Sequence, residues 1–486
     1  MQFNAPGLAD YSGHFASLDS GDVSFGAGGS YFGRPDIVAN LNKALGDGAS
    51  FGTTSAAGPN GVNVLIPQSL ETTLQVVGFK AQMLKLWQRI AKKPAYSTIE
   101  EYDMLKSFGQ DELMWMSEGG LPNIDASEYS REVAQVRYLG TQRAVTHQMT
   151  LVNVISGIQN IIDREDRNGT LQLLRNLETA LFEGDDRVDA LSIKGIFQQI
   201  EVNAPKNVID LRGKPITDAV LEDLDNRAAD NYATIDTMFM DNRQKNNLSQ
   251  FAFANKRFMI GNSGQQGQTN LGLPVERYIG NNSQFALESH QFIRAGVAYD
   301  LTFVPRVGAP AAPTSAALVE ANNAASLLPV GTYSYAIVGV NSKGEGAEAV
   351  VTNGAAVDSS TTNGLTWVDP ADAVYIKIYR RDTATGKYLF QAKVAKGVQA
   401  YNDAGQDVPG TSKAYALMMD GDEGMAWKQL APLMKLPLAQ IDTSIRWAIL
   451  LYGTLMVYQP TKQFVFKNVG SVGIEHVYDE ADRPRN

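Results

Sequence analysis

The sequence predicts an α+β protein with an all-β sandwich set into its C-terminal half, and three stretches carry that expectation. From Leu113 to Gly195 a β-ribbon turns back on itself and feeds directly into the longest helical pattern of the chain. From 308 to 413 the pattern changes to short alternating strands divided by turn signals. After 414 the sequence turns strongly apolar again, above all at Trp447–Tyr458. At 486 residues the chain exceeds the ~250–300 at which single cores stop growing, so two or more domains are expected.

The ribbon is expected over 95–151. Tyr96 to Met104 reads as its outgoing strand, and the tip turns through Glu118, Gly119, Gly120, Pro122, Asn123 and Asp125, residue types that favour turns. The return strand spans Arg131 to Leu151, with Val145, His147, Met149 and Leu151 on one face. About twenty such residues reach roughly 65 Å. A two-stranded ribbon of that length has no core of its own and must lie on something else, most simply a neighbouring copy of the chain.

A helix follows from about Val154 to Glu183. Ile155, Ile158, Ile162, Leu171, Leu174, Leu177 and Leu181 form its apolar stripe, interrupted by the charged run Asp163 to Gly169, and Gly184 is placed to end it. A second helix is expected from Ser69 to Lys93, closed by Pro94. Its last turns carry Lys85, Arg89, Lys92 and Lys93 near one face. These cations either complement the helix C-terminus and pair with Glu100 or Glu101, or touch nucleic acid. Residues 1–62 are rich in Gly, Ser and Ala, with one short amphipathic helix at Pro35–Leu45, and cannot build a core. Between 201 and 307 the reading is a helix at Thr217–Ala229, a buried strand at Ile235–Met240, a helix at Asp241–Gln250 after an Asp cap, and a loop at Ser263–Asn270.

Composition excludes several functions. The chain has no cysteine, hence no disulfide and no thiolate chemistry. A formal charge of −10 argues against a protein whose main task is gripping duplex DNA. No secretory signal is visible at the N-terminus, and the most apolar run stops at about a dozen residues where a membrane span needs ~20. Phosphate-loop and zinc-protease motifs are absent, and Gly26, Gly28, Gly29 and Gly33 follow no strand, so no cofactor is expected. His14, His147, His290 and His476 are scattered and read as local structural residues. The acidic clusters at Asp420–Gly424 and Asp185–Asp189 lack calcium-loop spacing and read as plain turns, so no metal site and no catalytic residue is assigned.

The Pro- and Ala-rich stretch Gly308–Pro313 marks a boundary. Beyond it come strands at Tyr333–Val340, Leu365–Val368, Val374–Arg381 and Tyr388–Val394, with turns at Asn341–Gly346 and Asp382–Lys387. Gly331-Thr-Tyr-Ser-Tyr, the single strand tryptophan Trp367, Ile378-Tyr-Arg and Tyr401-Asn-Asp-Ala-Gly resemble a fibronectin type III or Ig-like module. Between 308 and 413 eight Lys or Arg face nine Asp or Glu, so the acidity of the chain lies mainly elsewhere.

A ribbon whose tip reads Ser117-Glu-Gly-Gly, a long spine helix, then Phe182-Glu-Gly-Asp-Asp and Ile193-Lys-Gly-Ile resemble, in that order, the major capsid protein of tailed bacteriophages. The similarity resumes after the module at Thr443–Gly470, so it spans about 63–307 and 414–473. It implies an N-terminal arm (1–62), a lead-in helix of the peripheral domain (63–94), an extended loop (95–151), the spine helix and peripheral domain (152–200), an axial domain (201–307), the inserted sandwich (308–413) and a return to the peripheral domain (414–486). The implied function is structural and not enzymatic: self-assembly through hexameric and pentameric capsomers into the icosahedral head that encloses double-stranded DNA. Its partners would be further copies of itself, weakly held DNA, portal, scaffolding or decoration proteins and, through the module, a host-surface glycan, with no membrane. The chain would be assembled in the host bacterial cytoplasm and reside in the virion. Some capsids of this family crosslink a ribbon lysine to a neighbour's asparagine; here no lysine lies between Lys106 and Lys194, so that reaction is not expected. Two other readings stay open: a bacterial encapsulating nanocompartment, and a carbohydrate-binding or adhesion protein; binding sugar would need exposed aromatics, and Tyr333 and Tyr388 read as readily as core.

Overall fold

The computed structural model describes residues 83–109, 115–121, 124–151, 160–255, 275–293, 298–299, 301, 304–352, 361–382, 386–440 and 442–470. The N-terminal arm with its short helix, the first part of the lead-in helix and the Ser263–Asn270 loop lie outside the described residues.

In chain order the elements are α1 (Lys85–Arg89), β1 (Ala91–Pro94), β2 (Ile99–Ser107), β3 (Glu128–Gln135), β4 (Arg137–Thr146), α2 (His147–Leu151) and the long α3 (Ile161–Glu183). There follow α4 (Ile196–Asn203), β5 (Val208–Asp210), α5 (Asp218–Asp230), β6 (Thr237–Met240), α6 (Asn242–Asn255), β7 (Arg277–Ile279), β8 (Gln284–Ser289) and β9 (Ala298–Tyr299). The module contributes β10 (Thr314–Asn322), β11 (Ser334–Asn341), β12 (Gly344–Thr352), β13 (Thr361–Val368), β14 (Tyr375–Arg381), β15 (Tyr388–Ala395) and β16 (Ala400–Asp403). The chain closes with β17 (Ser412–Leu417), β18 (Met425–Pro437), β19 (Ser444–Val457) and β20 (Phe464–Val469).

The helix α3 runs unbroken through the charged segment that the pattern reads as an interruption. Its start is fixed by Asn160, whose side chain accepts from Ile162 N at 3.0 Å. The charges of the segment then meet the neighbouring sheet: Glu165 pairs with Arg143 at 3.3 Å and Asp166 with Lys435 at 3.2 Å. Gly169 lets the helix come close, since a Cβ there would stand 2.7 Å from Ile449 Cδ1. Leu173, Leu177, Leu181 and Phe182 are the fully buried apolar positions, so the stripe is centred on Leu173 and not on Leu171. Gly184 ends the helix as expected, without a left-handed turn; a Cβ would lie 2.5 Å from both Ala180 O and Ile193 O.

That sheet has the order β1-β18-β19-β4. It corrects two expectations. The ribbon pairs only β2 with β3, from Ile99↔Gln135 to Ser107↔Glu128. The remainder of the expected return strand leaves it: β4 pairs along its length with the apolar β19, and residues from His147 to Leu151 form α2. The long apolar β19, covered on one face by α3, captures β4 because pairing there also buries Val145 in the main core. Likewise the lead-in helix does not reach Lys93. It stops at Arg89, Ile90 turns extended, and β1 joins β18 in parallel.

A second, six-stranded sheet, β5-β20-β17-β6-β8-β7, holds the wholly buried strand β6 at its middle, with α5 packed on it through Leu221, Leu224 and Ala228. α5 and β6 start within two residues of expectation, and α6 opens after Asp241, whose Oδ1 accepts from Asn242 N at 2.8 Å.

The module folds as two facing sheets, β10-β13-β16 and β12-β11-β14-β15, with β9 added to the second. Tyr335, Ile337, Leu365, Trp367, Ile376 and Ile378 form the core between them. One polar knot is buried with it: Asp403 accepts from Tyr335 Oη at 2.8 Å and from Arg380 at 2.7 Å, while Asn363 Nδ2 donates to Tyr335 Oη at 2.9 Å. Burial pushes the phenols of Tyr102, Tyr335, Tyr401 and Tyr415 upward from their ordinary range. A phenol raised in the folded state stabilises fully below its unfolded value of about 10 and loses that contribution as pH rises above it, because the unfolded chain then releases protons the folded one retains. The expected result is a denaturation midpoint that is flat from pH 7 to 9 in the phenol contribution and falls above pH 10. Tyr415→Phe should show a shallower fall in the same titration; an identical slope would contradict the assignment.

Candidate assembly surfaces

The ribbon is pinned at its base and bare at its tip. Tyr102 Oη donates to Val457 O at 2.7 Å, and Glu100 accepts from Tyr96 N and Ser97 N at 2.8 and 3.0 Å. Farther out, Arg131 bridges Asp103 at 2.8 Å and Glu101 at 3.3 Å across the two strands. This pairing holds the Asp103 carboxyl below the usual carboxylate range. Beyond those pairs the ribbon presents large apolar side chains to solvent: Trp115 is 98 % exposed, Leu121 93 % and Ile124 101 %, with Phe108 and Tyr129 also exposed. Between 99 and 135 nine Asp or Glu stand against two Lys or Arg, a net of −7. Among the described residues this apolar, acidic strand pair forms a sheet of β2 and β3 alone.

Of the expected tip residues, Glu118 and Gly119 form the turn itself. Gly119 has φ +79°, and Gly120 N donates to Ser117 O at 2.9 Å. Asp125 Oδ1 accepts from Ala126 N at 2.8 Å and its carboxylate lies against Gly109, so the two ends of the tip meet. Pro122 and Asn123 lie outside the described residues.

The four cations expected on one helix face are divided between two elements. Lys85 and Arg89 sit on α1, where Lys85 Nζ donates to Ser289 O at 2.7 Å and Arg89 pairs with Glu288. Lys92 and Lys93 sit on β1: Lys92 donates back to Trp87 O at 2.8 Å, and Lys93 pairs with Asp422 at 2.8 Å. Lys92 complements the helix end, whereas the carboxylates met by Lys85, Arg89 and Lys93 are Glu288 and Asp422 and not the expected Glu100 or Glu101; Glu100 instead lies 3.9 Å from Lys428.

The strongest buried polar site was not singled out from the sequence. Glu178, fully buried on α3, accepts from Leu86 N at 2.8 Å and Trp87 N at 2.9 Å and lies 2.8 Å from Nε2 of the equally buried His290. Its signal was a carboxylate standing between Leu177 and Leu181 on an apolar face. His147 opens α2 at the surface, whereas His14 and His476 lie outside the described residues. The acidic clusters are spent locally: Asp185 and Glu201 hold Arg187, Asp422 holds Lys93, and Glu423 holds Lys462. Among the described residues no helix is long and apolar enough to cross a membrane.

The comparisons with known proteins bear on the ribbon, spine and sheets together. The SU10 major capsid protein family matches residues 134–304, from the end of the ribbon through the spine and the six-stranded sheet. A major capsid protein of Staphylococcus phage S25-3 is 23% identical over 428 residues, covering 83% of this chain and 90% of its own. From ribbon to closing strands the chain is similar to major capsid proteins of phages. Solved shells of two kinds are similar to this chain in fold. They are the capsid of a native GTA particle, 10% identical over 86% of this chain and 100% of its own at a TM-score of 0.46, and a SrpI encapsulin of Synechococcus elongatus, 10% identical over 85% and 95% at 0.38. The chain's α+β fold agrees with the expected class.

Proposed function

We propose that this chain is a major capsid protein that builds the icosahedral head of a tailed phage around double-stranded DNA, through hexameric and pentameric capsomers. The observation that carries the reading is the ribbon. Trp115, Leu121 and Ile124 are large apolar groups that one copy leaves bare, and burying them against adjacent subunits turns many weak contacts into a closed shell. On this reading β2, β3 and the tip are the extended loop, α3 with the four-stranded sheet is the peripheral domain, and the six-stranded sheet is the axial domain. The sandwich is an Ig-like insertion standing outward from the shell. Its role is structural: Tyr333 and Tyr388, the aromatics a glycan would need, are each only 8% exposed, which favours bracing of neighbours over sugar binding. Assembly in the host cytoplasm, a portal and scaffolding or decoration proteins complete the proposal.

Electron microscopy of the purified chain, with sedimentation over a wide concentration range, tests it. Closed shells or rings of five and six are expected. A strict monomer at every concentration, with and without phage lysate, contradicts it. Peptide mass spectrometry of the shells should find no lysine-to-asparagine bond from the ribbon.

A further inference from the structure

We infer that the outward face of the sheet β10-β13-β16 is a contact between the inserted modules of two copies of this chain in the assembled shell. The inference rests on the capsid reading and adds to it a surface and a partner. The two outer faces of the sandwich differ. That of the five-stranded sheet is covered by the chain itself, with Tyr299, Ala336, Val338, Tyr379 and Tyr388 closing a small second core and Tyr299 Oη donating to Gly346 O at 3.1 Å. That of the three-stranded sheet is bare among the described residues. The register sets Ala317 beside Thr366 and Thr366 beside Ala400, then Val319 beside Gly364 and Gly364 beside Asn402. Ala317, Val319, Thr366, Val368, Ala400 and Asn402 are all exposed, Val319 to 60%. None of them carries a charge, whereas solvent-facing sheet surfaces ordinarily use charge to prevent association.

The size of the face selects the occupant. Three strands at ~4.8 Å spacing and about seven residues at ~3.3 Å give roughly 300 Å² per side. Two such faces bury roughly 600 Å², about half of the ~1,200 Å² that a free-standing specific complex needs. A freely diffusing partner is therefore not retained, but a second copy held nearby by the shell is, because its effective concentration is already high. Two identical uncharged, small-residue faces also meet without repulsion and pack as closely as facing sheets do. A sugar ligand fits less well, since among the described residues no aromatic stands on this face.

The chain's lack of cysteine makes the test direct. Thr366→Cys places one thiol at the centre of the face, and Lys343→Cys places one on the exposed turn between β11 and β12 as a control. Both full-length variants are assembled into shells, oxidised mildly and run on non-reducing gels. Thr366→Cys is expected to give at least ten times the interchain dimer of Lys343→Cys in shells, and no such excess in dilute unassembled chain. Intact shells with equal crosslinking of the two variants overturn the inference and leave the capsid reading standing. An equal excess in dilute chain overturns the dependence on the shell. Wild-type chain that forms no shells removes the capsid reading and this inference with it. Should Thr366→Cys fail to fold, Val319→Cys on the neighbouring strand serves under the same criteria.

Discussion

Glu178→Ala is expected to cost about 3–5 kcal/mol, because it strands several buried polar groups at ~1–3 kcal/mol each, out of a total stability of about 5–15 kcal/mol. The physical reason lies in what the carboxylate holds. Its two oxygens receive the backbone N–H groups of Leu86 and Trp87, and one also meets His290 Nε2. Truncation leaves two amide donors and an imidazole without their partner at a site where the carboxylate and the imidazole are fully buried, among Phe182, Phe239 and Phe292. The penalty is thus desolvation that nothing compensates, and not merely one lost bond. Three parts of the chain loosen together: the start of the described chain at α1, the middle of the spine, and the segment after β8. Glu178→Gln keeps an acceptor for the amides and is expected to lose roughly half as much. Chemical denaturation of the unassembled chain measures both. An alanine variant within about 1 kcal/mol of the wild type would show that water or local collapse replaces the carboxylate, and the anchor would have to be abandoned.

The same anchor shows where reading a sequence stops. The spine helix, β6, α5 and the strands of the module were legible because each has its own periodicity or turn chemistry. The strands expected at Tyr333–Val340 and Val374–Arg381 reappear as β11 and β14, although β11 is buried on both faces and does not alternate. What failed was partner choice. Alternation from Arg131 to Leu151 cannot say whether a strand continues a ribbon or joins a distant sheet. The competitor that won was β19, some 300 residues later, whose apolar face gives β4 more buried area than the ribbon offers. Lys92 and Lys93 extend a helical pattern locally, yet the parallel ladder to β18 overrides a short helix whose propensity is worth only tenths of a kcal/mol per residue. The charged run after Asp163 looked like a break because its partners, Arg143 and Lys435, lie far off in sequence. Glu178 and His290 illustrate the limit most plainly. Each looks unremarkable alone, and only the fold makes them one site.

Trp115→Ser is expected to leave the folded chain unchanged and to suppress shell formation. The indole is 98 % exposed in one copy, so its removal takes nothing from the monomer's core, and the denaturation midpoint of the unassembled chain should move by less than about 0.5 kcal/mol. In the shell its environment reverses. A tryptophan at the tip of an unsupported ribbon, flanked by exposed Leu121 and Ile124, has the composition of an interface anchor, and truncating such an anchor costs about 2 kcal/mol or more. At 1.4 kcal/mol per tenfold, a loss of ~2 kcal/mol in each subunit's contact raises the concentration at which shells appear roughly 30-fold. Leu121→Ser should act in the same direction with a smaller shift, since it buries less area. Sedimentation across a dilution series reads the threshold directly, beside Ser342→Ala on the module as a neutral control. A Trp115→Ser chain that closes into shells at the wild-type concentration would mean that the ribbon tip stays in water after assembly. The bare apolar residues would then have to find their purpose elsewhere, with the arm and the sheets left to hold the shell.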